Sequence, residues 1–172
     1  KVVEPGLTYS SVAYRQWLSA LAAKNVERTV ARAGQYLELG RGIRLDILHP
    51  GEKLLTGTDD DINNNALVMR LAWNKVSFLL AGDIAYEAEA ELLTNHAPLK
   101  SSVLKVAHHG SRTSTSARFL DAVNPDVAVI SAGAGNSFGH PHAEVVNRLK
   151  DSVGESRLYI TAIHGTVEFT TD

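Results

Sequence analysis

Leu104-Lys105-Val106-Ala107-His108-His109-Gly110-Ser111 carries an apolar run onto two adjacent imidazoles and a glycine. Val103 to Ala107 has the composition of a buried strand, so the two histidines are expected at the rim of a sheet. Gly110 lets the chain turn sharply beside them. Upstream, Leu79-Leu80-Ala81-Gly82-Asp83 ends another apolar run on a carboxylate. Downstream, Ser137-Phe138-Gly139-His140-Pro141-His142 adds two more imidazoles. Three successive segments thus finish on side chains that ligate metals, which core packing alone does not require. The pattern points to a metal-dependent hydrolase.

Outward from these segments the chain divides into an early and a late half. A short strand at Val2-Val3 leads to a helix capped by Ser10 or Ser11, with Tyr14, Trp17, Leu18 and Leu21 on one apolar face. Strands are expected at Val26 to Ala31, Tyr36 to Leu39 and Ile43 to Leu48, and a polar loop over Glu52 to Asn65. Ala66 to Leu71 and Val76 to Ala81 form a hairpin. Then helices at Ile84 to Leu93, Ala117 to Val123 and Ala143 to Lys150 alternate with strands at Val103 to Ala107, Val127 to Ser131 and Arg157 to Thr161. A last strand is expected at Thr166 to Phe169. Hairpins followed by strand–helix alternation predict a mixed sheet flanked by helices, an α/β (α+β) fold.

Composition narrows the class. With 172 residues, 44% of them hydrophobic and 21% charged, the chain is expected to be one globular domain over residues 1–172. A net charge of −2 with no like-charge block gives no overall attraction for nucleic acid, so any such contact needs a local basic patch. The lack of cysteine excludes disulfides, thiolate zinc sites and a cysteine nucleophile. No apolar run approaches the ~20 residues that span a bilayer. A start at Lys1-Val2-Val3, straight into strand-like residues, reads as a piece of something longer.

Each candidate has a plain structural alternative. Asp83 can bridge two cations across the ~3.5–4 Å of two-metal phosphoesterase sites. As an isolated Gly-Asp it more often caps the following helix. Of His108 and His109, whose side chains diverge, one faces the site, and His109 beside the glycine is the choice; the other packs into the protein or supports it. His140 stands equally as ligand, general acid or phosphate donor and as an exposed helix-start residue, while for His142 the exposed helix start is favoured. Ser111 to Ser116 offers five hydroxyls and the Arg112 guanidinium to a phosphodiester, or simply caps the next helix. His49, His96 and His164 have no partner pattern and read as structural or surface residues.

Taken together, LLAGD at Leu79 to Asp83, LKVAHHGS at Leu104 to Ser111 and SFGHPH at Ser137 to His142 resemble the metallo-β-lactamase superfamily, and more narrowly the carboxy-terminal nuclease-like domain of ComEC-type competence proteins. Asn63 to Val68 and His164 to Val167 extend the resemblance over nearly the whole chain. It implies an αββα sandwich, here lacking its N-terminal part, and two divalent metal ions, zinc or manganese. Asp83 matches the bridging carboxylate, His109 a histidine ligand, and His140, with Ser111 and Arg112, a position beside the substrate phosphate, so that Asp83 and His140 carry the catalysis. DNA is the implied substrate. The implied place is the extracytoplasmic face of a bacterial membrane, as part of a larger membrane DNA-uptake channel, with this soluble segment itself making no membrane contact.

The sequence also departs from that pattern. The superfamily's main motif, His-x-His-x-Asp-His, occurs nowhere in it, and no further histidine ligand stands near Tyr36 to Leu39. Half or fewer of the ligands of a tight catalytic site are therefore present, and the segment alone is expected to be inactive. A stand-alone hydrolase of small phosphodiesters or esters, and a non-catalytic module that binds nucleic acid or a partner, are the alternatives.

Overall fold

The computed structural model describes residues 1–170. Two strands at the beginning, β1 (Val2–Glu4) and β2 (Arg28–Val30), pair in parallel as a small sheet of their own, linked by α1 (Val12–Ala23). Seven further strands form the main sheet in the order of the chain: β3 (Tyr36–Gly40), β4 (Ile43–His49), β5 (Val68–Trp73), β6 (Val76–Leu80), β7 (Val103–Lys105), β8 (Val127–Ile130) and β9 (Leu158–Ile160). β3 to β6 run antiparallel, and β6 to β9 run parallel. The expected mixed sheet flanked by helices is therefore what forms.

The two halves follow from their connections. β5 and β6 are joined through Asn74-Lys75, with Trp73 opposite Val76 and Asn74 at φ 52°. A two-residue hairpin turn demands positive φ, which asparagine tolerates. Parallel neighbours instead need long crossovers. These hold α2 (Tyr86–Thr94), α3 (Ala117–Val123) and α4 (Ala143–Val153). Strand order advances one step at each crossover, so crossovers of one hand put all three helices on the same face.

That face is the core. Leu79, Leu104, Ala128, Ile130, Leu158 and Ile160 alternate onto it and pack with Leu92 of α2, Phe119 and Val123 of α3, and Val145 and Leu149 of α4. The register places Leu71, Phe78, Leu80, Val129 and Tyr159 on the opposite face, where they are only half-buried. Both sides of the sheet are apolar, but the three helices cover only one.

Several expected elements are placed differently. Thr166 to Phe169 forms no strand; Phe169 lies edge-on against Phe78 on the open face, ring centroids 5.4 Å apart. β9 stops at Ile160, and Thr161–His164 makes one turn of helix, α5. The expected apolar face of α1 does form, since Tyr14, Trp17, Leu18 and Leu21 are its half-buried residues, but none of them is fully buried. Glu52 to Asn65 is a loop as expected, but an ordered one. Asn65 donates to the carbonyls of Leu55 and Asp61 and accepts from the Leu55 amide.

Candidate metal and phosphate site at the sheet edge

Three segments meet at the carboxyl ends of β6, β7 and β8. β6 passes through buried Ala81 to Gly82, whose φ of 59° and close approach to the Leu67 carbonyl exclude a side chain; a Cβ there would lie 2.9 Å from that oxygen. Asp83 follows. It does not cap α2. The N-cap position is Ala85, and the side chain of buried Asn64 reaches across to accept from the amides of Ala85 at 3.1 Å and Ala88 at 3.4 Å. The helix start is satisfied by another segment, which leaves the Asp83 carboxylate free.

β7 delivers the histidines through a turn, not as a straight strand end. Val106 and Ala107 are buried, and the amide of His108 donates to the Gly82 carbonyl at 3.0 Å, stitching the two loops together. His108, His109 and Gly110 then occupy the left-handed region in succession, at φ 45°, 55° and 81°. For two non-glycine residues this costs roughly 1–2 kcal/mol each. Gly110 is required by contact as well, since a Cβ would lie 2.6 Å from Cβ of Pro141.

The strain turns His109 toward Asp83. His109 Nδ1 lies 2.6 Å from the Ser131 carbonyl, which can only accept, so Nδ1 carries the proton. Nε2 then faces Asp83 Oδ1 at 3.5 Å. A backbone carbonyl fixing the tautomer of an imidazole beside a carboxylate is the usual support of a metal-ligating histidine. Two oxygen and nitrogen donors that each bind a cation at ~2.0–2.2 Å stand about this far apart. The pair therefore suits a shared cation, but as part of a set: among the described residues no group of three or more histidine, cysteine or acidic side chains is arranged to hold one.

The other histidines sort themselves around this pair. His108 turns inward with its Nδ1 buried and, among the described residues, without a hydrogen-bond partner, so it is not the satisfied core histidine that the alternative reading supposed. Its ring meets His140 edge-on at 5.6 Å, and His140 lies 5.0 Å from His142. Partial burial, reinforced by the neighbouring imidazoles of His142, His108 and His109, lowers the pKa of His140, so that it is neutral near pH 7. His142 is more than an exposed helix start. Its amide donates to the Gly110 carbonyl at 3.0 Å, and its Nδ1 accepts from the Arg112 amide at 3.2 Å.

The hydroxyl run serves mainly the loop. Ser111 is buried, with Oγ paired to Thr113, and Ser114 donates to the carbonyls of Ala107 and Ser111. Ser116 caps α3, accepting from the Phe119 amide. Glu89, buried in α2, accepts from the amides of Thr115 and Ser116 and anchors the whole turn. Only Arg112 and Thr113 of this run are exposed. Sequence reading missed Lys105. Its ammonium donates to the Gly82 carbonyl at 3.2 Å and stands 3.7 Å from Asp83 Oδ1; burial lowers its pKa against the opposing pull of Asp83. The available signal was that Lys105 is the one charged residue in the apolar run Val103 to Ala107.

No family model matches the chain. Over 129 residues, 74% of this chain, it is 33% identical to competence protein ComA of Neisseria gonorrhoeae. Over 127 residues it is 39% identical to recombination protein 2 of Haemophilus influenzae, and over 107 residues 36% identical to ComE operon protein 3 of Bacillus subtilis. These stretches are 18%, 15% and 14% of the respective relatives, so the chain spans less than a fifth of their length. A solved protein of Parabacteroides distasonis, named for metal-dependent hydrolysis, superposes at a TM-score of 0.47 with 12% identity over 93% of this chain and 62% of its own. That likeness is too loose to bear on chemistry. The resemblance to ComEC-type competence proteins is borne out by the sequence relatives.

Proposed function

We propose that this chain supplies part of a metal-dependent nuclease site in a competence protein of the ComEC type, as one domain acting on DNA outside the cytoplasmic membrane beside a DNA-uptake channel. The observation that carries this reading is the pairing of Asp83 with a tautomer-fixed His109. The names of the relatives, which include two competence or recombination proteins, support DNA as the substrate. No helix among the described residues is long and apolar enough to cross a membrane.

Divalent cations, zinc or manganese, would supply a water of lowered pKa and Lewis acidity toward a phosphoryl oxygen. Asp83 would hold them by its carboxylate and His109 by Nε2. His140, neutral at the operating pH, would hydrogen-bond a phosphate oxygen. Lys105 and Arg112 would add positive charge where the phosphodiester gathers negative charge. The buried hydroxyl of Ser111 would shape the turn rather than touch the substrate.

The test uses a longer protein that carries this segment, with DNA cleavage and bound metal measured in parallel. Asp83→Ala and His109→Ala should each lower cleavage by several decades and lower bound metal. His140→Ala should reduce the rate with metal retained, and His96→Ala should change neither. If His109→Ala kept its metal and its activity, the ligand assignment would be wrong and His108 would be next. The two-donor set favours a second reading for the segment alone, which is nucleic-acid binding without cleavage. Calorimetric titration of the isolated chain with manganese should then show no tight site.

A further inference from the structure

The loop between β8 and α4 presents an aromatic ring to solvent at the edge of this cleft. Phe138 is 76% exposed. Burying such a side chain is worth roughly 1.5–3 kcal/mol, so folding gains little from placing it there. Yet the loop is held firmly. Asn136 accepts at Oδ1 from the amides of Phe138 at 3.2 Å and His140 at 3.1 Å. It donates through Nδ2 to the carbonyls of Gly133 at 2.9 Å and His140 at 2.5 Å. One asparagine therefore commits its whole amide to fixing the backbone on both sides of the ring.

The ring itself stacks on the His140 imidazole, with centroids 5.8 Å apart and planes 25° from parallel. His140 thus backs the ring without covering it. Phe138, His109, Ser131, His140 and Thr161 border one open cavity of about 440 Å³. His142, next to His140, accepts from the backbone amide of exposed Arg112 just beyond this cavity. A flat apolar surface, pre-set at one lip of an imidazole-rich cleft, suits a ligand with a π-face on one side and a phosphate on the other.

We propose that Phe138 is a stacking platform for an unpaired nucleobase, which makes single-stranded nucleic acid the ligand of this cleft. The phosphate half of this contact rests on the function proposed above; the base half rests on Phe138 alone. Every base has a π-face, so the platform is indifferent to sequence, while the bases of a duplex are stacked internally and cannot reach it.

The experiment is fluorescence anisotropy of the chain, in chelator, with labelled oligothymidylate and with an abasic oligonucleotide of equal length and phosphate count. The unmodified chain should bind oligothymidylate the more tightly. Phe138→Ala should weaken that binding about 5- to 150-fold, the worth of one base–aromatic stack, and leave the abasic strand unchanged. Phe138→Trp should restore it. Because the ring is exposed, the melting curves of both variants should match that of the unmodified chain. Equal binding of the two oligonucleotides by the unmodified chain, or oligothymidylate binding indifferent to Phe138→Ala, would overturn the platform and leave the phosphate site standing. Binding of neither would overturn the platform and, with it, the reading of the isolated chain as a nucleic-acid binder.

Discussion

The two faces of the main sheet are nearly equal in apolar content and unequal in fate. Leu79, Leu104, Ala128 and Ile130 on one side lie at or near zero exposure beneath α2, α3 and α4, whereas Phe78, Leu80, Val129 and Tyr159 on the other are half-buried. A strand that is apolar on both faces is the mark of a sheet meant to be covered twice. The difference separates two jobs. The helix side holds the fold together, and its crossovers begin in the loops that place Asp83, His109 and His140. The open side carries Lys105 on its rim, beside Asp83.

This comparison can be broken most sharply by truncating matched leucines. Leu104→Ala, at zero exposure among the helices, should cost about 2–5 kcal/mol in urea unfolding, from lost transfer energy and the cavity left behind. Leu80→Ala on the open face should cost less than half as much, because water already reaches that side chain. Equal losses would mean that the open face is as well packed as the covered one.

Next in size is the turn that links the helix side to the site. Gly110→Ala would set a methyl 2.6 Å from the Pro141 ring at a φ of 81°. A loss of about 1–3 kcal/mol is expected from overpacking, together with a shift of the His109 imidazole resonances in NMR spectra. Unchanged stability would show that the 110 and 141 segments part easily.

The smallest effect sharpens the comparison by pH. Burial raises the pKa of Glu89 above 4.5 even though two amides and Arg148 favour its ionised form. Below about 4.5 the carboxyl is protonated in both folded and unfolded chains. As pH rises from there the unfolded chain ionises first, so this group's stabilising contribution is lost until the folded form also ionises. The stability of the unmodified chain should therefore fall, relative to Glu89→Gln, as pH rises through that window. Parallel pH profiles for the two proteins would show that Glu89 is not held neutral by burial.

Much of this architecture was legible in local sequence. The hairpin was readable because Val68 to Trp73 and Val76 to Leu80 are dense in strand formers around a turn asparagine. The late alternation was readable because α3 begins at a serine cap and ends at Asn124, at φ 42°. Thr166 to Phe169 was misplaced as a strand because β-propensity describes a fit to a half-buried surface, and Phe169 finds that surface by packing on Phe78 without joining the ladder. The apolar face of α1 was real in spacing, but spacing says nothing of whether a partner exists.

The site divides along the same line. The sequence by itself determined which residues arrive at the sheet edge, because an apolar run that ends on Gly-Asp or His-His-Gly must stop where the core stops. It determined the mixed sheet for the same reason, since hydrophobic period and turn chemistry are local. Only the tertiary structure decided what each side chain is free to do. Asn64, from a loop 19 residues before Asp83, takes over the cap of α2 and releases the carboxylate. Ser131, from the next strand end, sets the proton of His109. Ser111 spends its hydroxyl inside the turn, and Lys105 comes to Asp83 only through the pairing of β6 with β7. Hydrogen bonds and ion pairs are satisfied by whichever partner lies nearest in space, and that neighbour is not written in the spacing along the chain.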